Sequence, residues 1–216
     1  MAHEAPGFDY WAQGLAAQGY AVLQPNFRGS DLTHELIAAG YGEWGRKMQT
    51  DLSDGVKFLA AGGIVDPKRV CIDGGSYGGY AALAAAAFQP DVYRCVIAVA
   101  GISDLREFFA GKLGGLNNED SPYERFWARY IGTTNLGDPT VDALSPALHV
   151  AAISAPVLLI HGRDDSVVPF RQSEIMLNAL RKSGKPVELV ALANEDHWLS
   201  RSATRLQMLA ATVAFL

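Results

Sequence analysis

Arg69-Val70-Cys71-Ile72-Asp73-Gly74-Gly75-Ser76-Tyr77-Gly78-Gly79-Tyr80 is the stretch on which the reading of this chain turns. An apolar run of strand length passes through glycines around one serine and enters Tyr80 to Ala87, a run of small helix formers. The order is strand, sharp turn, helix, with Ser76 at the apex. Glycines on either side let the backbone fold tightly there, which leaves the hydroxyl exposed. Tyr77 opens the helix, so its N–H has no intrahelical acceptor and can face an oxyanion formed at the serine. Ser76 is therefore the first candidate for a covalent nucleophile. The competing reading is a glycine-rich turn whose serine merely caps the helix.

A serine nucleophile needs a base, and the base needs a group to orient it. Pro156-Val157-Leu158-Leu159-Ile160 is a continuous apolar run ending in His161-Gly162-Arg163-Asp164-Asp165. Val187 to Leu192 is the next strand candidate and runs into Ala193-Asn194-Glu195-Asp196-His197-Trp198. Loops at the carboxyl ends of parallel strands converge on one edge of an open α/β sheet. Ser76, an aspartate of the 164–165 pair, and His197 all fall in such loops. Their chain order, serine then acid then histidine, is that of an α/β-hydrolase. His161 competes for the role of base, but it adjoins a buried strand end and reads as a structural histidine bonded to backbone. His34 and His149 have no strand end nearby, and His3 belongs to a loose terminus. Glu195 and Asp196 read as residues that shape the His197 loop. Spacing alone does not choose between Asp164 and Asp165.

Three motifs, Gly-Gly-Ser-Tyr-Gly-Gly at 74–79, His-Gly-x-x-Asp-x-x-Val-Pro at 161–169 and Glu-Asp-His at 195–197, together resemble the catalytic domain of the prolyl oligopeptidase family. The acylaminoacyl-peptidase and dipeptidyl-peptidase-like serine peptidases are the most similar branch. Gly19 to Ser30, Gly42-Glu43-Trp44-Gly45, Asp51-Leu52-x-Asp54-Gly55 and Val99-Ala100-Gly101-x-Ser103-Asp104 extend the resemblance over nearly the whole chain. It implies Ser76 as nucleophile, Asp165 as acid, His197 as base and the Tyr77 N–H as one oxyanion donor. It also points to Ile102, Leu105, Phe108 and Val168 as substrate-pocket positions. Relative to the family pattern, the chain starts at the helix following the oxyanion-hole strand and has no room for an N-terminal β-propeller. The expectation is one truncated α/β-hydrolase catalytic domain over 1–216, lacking the first strands. Loss of one oxyanion donor costs about 10²–10³ in turnover, so weak activity is expected.

The 216 residues and 49% apolar content suit one globular domain. A net charge of −5 argues against nucleic acid or anionic membrane as a partner. There is no apolar run long enough to span a membrane and no signal-peptide pattern, so the expected compartment is the cytoplasm. Cys71 and Cys95 read as free buried thiols, and no cofactor or metal is expected. Helices are expected over 8–18, 51–61, 77–88, 171–183 and 202–215, and strands over 21–25, 69–73, 95–99, 156–161 and 186–192. Unbroken Val/Ile/Leu runs imply a mostly parallel sheet covered by helices on both faces. The aromatic segment 105–146 reads as an irregular excursion. With the neighbouring strand of the family sheet missing, the 21–25 strand is expected either to slide inward against 69–73 or to leave an opening that a second copy covers. A homo-oligomer is expected on that ground. The expected activity is acyl transfer on a small ester or short peptide, with short-chain esters ahead of peptides because an alkoxide leaves more easily than an amine. The alternatives are a serine peptidase of the acylaminoacyl or dipeptidyl type and a catalytically silent hydrolase-like domain.

Overall fold

In the computed structural model, which describes residues 7–113, 116 and 121–216, four strands form one parallel sheet. They are β1 (Cys71–Gly75), β2 (Cys95–Val99), β3 (Val157–Gly162) and β4 (Val187–Leu192), hydrogen-bonded in the order β1-β2-β3-β4. Nine α-helices accompany them among the described residues: α1 (Tyr10–Ala16), α2 (His34–Ala39), α3 (Lys47–Ala61), α4 (Tyr77–Phe88), α5 (Leu105–Leu113), α6 (Pro122–Ile131), α7 (Pro139–Ala143), α8 (Arg171–Lys182) and α9 (Ser202–Phe215). This is an α/β-hydrolase-like architecture. Among the described residues no helix is long and apolar enough to cross a membrane.

Alternation along the strands builds the two faces. Val96 and Ala98 of β2 and Val157 and Leu159 of β3 pack with Leu83 of α4 and with Met176 and Leu180 of α8. Their neighbours Ile97, Val99, Leu158 and Ile160 point the other way, toward Met208 of α9 and Tyr10 and Trp11 of α1. Neighbouring parallel strands joined in sequence by crossovers of one hand send their connecting helices to one side. α4 and α8 accordingly share a face, and α9 closes the other. Each buried Val, Leu or Ile contributes about 1.5–3 kcal/mol, so residues read as unbroken apolar runs hold the sheet from both sides. Beyond α4, Trp44 stacks on Tyr80 at 4.8 Å and anchors a third apolar cluster with Phe109, Tyr130 and Ile131.

Three sequence expectations change. The 21–25 segment forms no strand and does not pair with β1; it has no regular secondary structure, with Val22 and Leu23 40% and 45% exposed. An isolated strand has no ladder to satisfy its N–H and C=O groups, so β propensity alone does not create one. Cys71 and Cys95 are bonded as a disulfide rather than free. The parallel register sets these two residues directly opposite each other, a pairing that only the strand alignment reveals. The 105–146 segment contains α5, α6 and α7. In α6, Ser121 caps the helix by accepting from Glu124 N–H, Pro122 occupies the first turn, and Gly132 ends it in the left-handed region at φ 87°. Aromatic residues on both sides of α6 hide its period: Tyr130 is buried while Tyr123 and Phe126 are exposed. His3 lies outside the described residues.

Segments that the sequence showed only as separate motifs meet in space. Arg28 grips Asp51 with Nε on Oδ2 and a second guanidinium nitrogen on Oδ1, both at 2.7 Å, and its backbone N–H adds a third bond at 3.0 Å. Burial would raise the Asp51 pKa, but the bonds from Arg28 outweigh it and hold the carboxyl below its usual range. Ser103 and Asp104, just beyond β2, donate their N–H groups to Gln172 Oε1 of α8, each at 2.9 Å. That junction ties the loop after β2 to the first turn of α8.

Candidate active site

Ser76 sits between the end of β1 and the start of α4 with φ 57° and ψ −115°. A non-glycine residue in this region carries about 1–3 kcal/mol of strain and needs the surroundings to hold it. Its N–H donates to Val99 O at 2.8 Å and its carbonyl accepts from Tyr80 N–H at 3.1 Å, so β2 and α4 fix it from both sides. Close packing beneath it is made possible by glycine: a Cβ on Gly79 would lie 2.7 Å from the Gly101 Cα. Among the described residues, the other non-glycine residues with positive φ are Ala100 after β2, and Asn194 and Leu199 on either side of His197. Backbone strain thus gathers at the carboxyl edge of the sheet, around one site.

β3 delivers Asp165 and β4 delivers His197 to that edge. His197 Nε2 lies 2.9 Å from Ser76 Oγ, and His197 Nδ1 lies 2.7 Å from Asp165 Oδ2. A carboxylate can only accept, so the imidazole proton sits on Nδ1 and Nε2 is left to accept from the serine hydroxyl. Asp165 Oδ1 accepts from the N–H groups of Val167 and Val168, each at 2.8 Å. Burial acts to raise the Asp165 pKa, but donors from His161, His197 and Val168 N–H more than offset it. They hold the carboxyl well below the usual carboxylate range. Of the adjacent pair, Asp165 is the buried one and Asp164 is exposed.

The His197 loop is braced from below. Glu195, 1% exposed, accepts from Asp196 N–H at 2.9 Å, Ser200 N–H at 3.0 Å and the Thr204 hydroxyl. Asp196 accepts from Trp198 N–H at 2.9 Å and Ser200 Oγ at 2.7 Å. Both acids therefore shape the loop, as their position before His197 suggested. The loop closes on β3 through the Asp164 N–H to Glu195 O bond at 3.0 Å. Gly162 makes that approach possible, because a Cβ there would overlap the Glu195 carbonyl. The Tyr77 N–H, in the first turn of α4, points at the serine end where the helix dipole is positive. His161 is fully buried beside Asp165, and His149 bonds the Asp142 carbonyl through Nε2 at 3.1 Å, away from Ser76.

The four pocket positions cluster together: Ile102, Leu105, Phe108 and Val168 are 0–3% exposed and belong to the Trp44 cluster. They are packed against one another rather than spread around open space. Two shallow hollows of about 420 and 360 Å³ lie instead beside α3 and along Pro25–Arg28, and neither touches Ser76, Asp165 or His197. Sequence reasoning missed the second hydrogen bond to Asp165, the Thr204 support of Glu195 and the Gln172 junction. The spacing of His161 and Asp165 was a usable hint for the first. Nothing local marks Thr204 or Gln172, whose partners lie on other elements.

Comparison with known proteins gives a consistent result. A model of the prolyl oligopeptidase family matches residues 6–216. Dipeptidyl aminopeptidase BIII of Pseudoxanthomonas mexicana is 32% identical over 225 residues, which covers 100% of this chain and 31% of that enzyme. Among solved structures, a puromycin-hydrolyzing peptidase of Mycobacterium tuberculosis superposes with a TM-score of 0.79 at 31% identity, covering 88% of this chain and 28% of that one. The acylaminoacyl peptidase of Pyrococcus horikoshii gives 0.79 at 27% identity, over 93% of this chain and 32% of that one. The chain thus spans about a third of the length of each of these proteins.

Proposed function

The chain belongs to the prolyl oligopeptidase family, and from that premise we propose that it is a serine hydrolase forming an acyl-enzyme on Ser76. Its preferred substrates are short peptides or acyl-amino acid amides. The observation that carries this reading is the continuous hydrogen-bond chain Ser76–His197–Asp165, 2.9 and 2.7 Å per link. In this mechanism Ser76 Oγ attacks the acyl carbonyl as its proton passes to His197 Nε2. The tetrahedral oxyanion faces the Tyr77 N–H. Asp165 holds the imidazolium through Nδ1–H and keeps its tautomer and orientation. The proton then goes to the leaving amine, the C–N bond breaks, and an ester to Ser76 remains. Water attacks that ester with His197 again as base, releasing the acid and restoring the serine.

The names of the relatives favour peptide over ester substrates, which reverses the order expected from sequence reasoning. A second reading, short-chain ester hydrolysis, draws on the tight packing of Ile102, Leu105, Phe108 and Val168, which favours small acyl groups. The two are separated by comparing dipeptidyl and N-acyl-aminoacyl p-nitroanilides with p-nitrophenyl acetate and butyrate. The peptidase reading expects the larger kcat/KM on the anilides. A fluorophosphonate probe tests the nucleophile itself: stoichiometric labelling at pH 7–8 that disappears in Ser76→Ala is expected. A folded sample that takes no label would support the catalytically silent alternative.

A further inference from the structure

Asp165 serves two imidazoles. His161, the penultimate residue of β3, is 0% exposed; its Nε2 lies 3.2 Å from Asp165 Oδ2 and 2.9 Å from the Val168 carbonyl oxygen. Its Nδ1 lies 2.7 Å from Ser173 Oγ on α8. A carbonyl oxygen only accepts, so the His161 proton sits on Nε2 and is shared between Val168 O and Asp165 Oδ2. Nδ1 then accepts from the Ser173 hydroxyl, which fixes both the tautomer and the ring plane. The oxygen that receives His161 is the same Oδ2 that receives His197 Nδ1–H at 2.7 Å. The other oxygen is occupied by the two valine N–H groups.

We infer that His161 is a positioning residue for the proposed reaction: aimed by Ser173, its Nε2–H locks the Asp165 carboxylate and draws off part of the charge that Oδ2 presents to His197. The surroundings leave few competing influences. The ionisable groups acting on Asp165 are His161 and His197. Ahead of α8, the Phe170 ring meets His161 edge-on at 5.5 Å, and Arg163 is stacked over Phe170 at 4.7 Å. Asp164 is exposed, and from the β4 loop Glu195 and Asp196 are turned into their own backbone. A shared Oδ2 stabilises the His197 imidazolium less than an undivided one. The grip of Asp165 on the His197 ring is therefore looser than it would be with that ring as its only imidazole partner.

This inference rests on the proposed hydrolase reading for its effect on turnover but not for its proton assignment, and the test uses both. Purified enzyme is assayed for kcat/KM against pH in the wild type, His161→Leu, His161→Gln and Ser173→Ala. Removing the donor in His161→Leu should move the acid limb to higher pH by about 0.5–1 unit, the equivalent of one hydrogen bond, with kcat falling and KM unchanged. The amide N–H of His161→Gln should restore the limb toward wild type, and Ser173→Ala should move it in the same direction as His161→Leu but less. Nitrogen-15 histidine NMR of the wild type, which needs no variant to fold, should show the His161 ring proton on Nε2 rather than Nδ1. An unmoved acid limb in folded His161→Leu, or a wild-type proton on Nδ1, overturns the inference. If fluorophosphonate fails to label Ser76, the hydrolase reading fails, and the measured tautomer then decides the His161 assignment by itself.

Discussion

Asp73 shows how a single side chain can tie stability to pH in this chain. It lies on β1 three residues before the nucleophile; its Oδ2 accepts from Trp11 Nε1 at 2.8 Å, while Oδ1 is enclosed without a hydrogen-bond partner. Burial is the main cause that pushes its pKa up to about 7, against smaller lowering by the Trp11 and Gly74 donors. Between the ordinary carboxylate value of 3.8 and about 7, the folded chain holds a proton that the unfolded chain has released. Stability from this group is therefore present below that window, declines as pH rises through it, and is gone above it. Asp73→Asn keeps an acceptor for Trp11 and cannot ionise. It should melt at a higher temperature than wild type at pH 8 and at nearly the same temperature at pH 4; equal melting points at pH 8 would refute this account.

At the scale of elements, the site depends on loops being allowed to approach closely. β3 and the His197 loop meet where Gly162 has no side chain, and the Glu195 carbonyl occupies the space a Cβ would need. Gly162→Ala should displace the loop that carries His197 while leaving the sheet hydrogen bonds of β3 and β4 in place. The expected result is a fall in kcat of about 10²-fold, the cost of misplacing a catalytic group by about 1 Å, with a comparable slowing of fluorophosphonate labelling. Circular dichroism should change little. Full activity in Gly162→Ala would show that the His197 loop is set by Glu195 and its donors alone. The elbow at Ser76 uses both devices, since hydrogen bonds to β2 and α4 hold its strain while Gly79 leaves room for the close packing beneath it.

At the scale of the whole molecule, the four-strand sheet has two edge strands among the described residues, β1 and β4, and the β1 edge leads into the nucleophile turn. β1 pairs with β2 on one side, and among the described residues no strand pairs with its other side. Leu23 lies against Gly55 of α3, and Leu23, Phe58 and Ile64 are 45%, 76% and 64% exposed. An unpaired strand edge invites pairing with another chain, and exposed apolar side chains invite burial against one. We expect reversible self-association in sedimentation velocity over the micromolar range, weakened by the double substitution Leu23→Lys and Phe58→Lys. A single monomer boundary at every concentration would count against a second copy covering this edge.

What the sequence by itself determined was local or periodic. The glycine-serine-glycine turn, the apolar runs of β2, β3 and β4, and the helices α4, α8 and α9 are written in neighbouring residues, because backbone geometry and side-chain burial act over a few positions. The order serine, acid, histidine was legible for the same reason, since each residue follows a recognisable strand. Tertiary structure alone decided the rest. It buried Asp165 and left Asp164 exposed, a choice that spacing left open and only the family resemblance anticipated, set Cys71 opposite Cys95 through strand register, and left the 21–25 segment without a ladder. It also brought Ser173, Thr204 and Gln172 to partners on distant elements. Those outcomes depend on which groups become neighbours after the sheet forms, and a hydrogen bond between elements leaves no period or spacing in the chain that makes it.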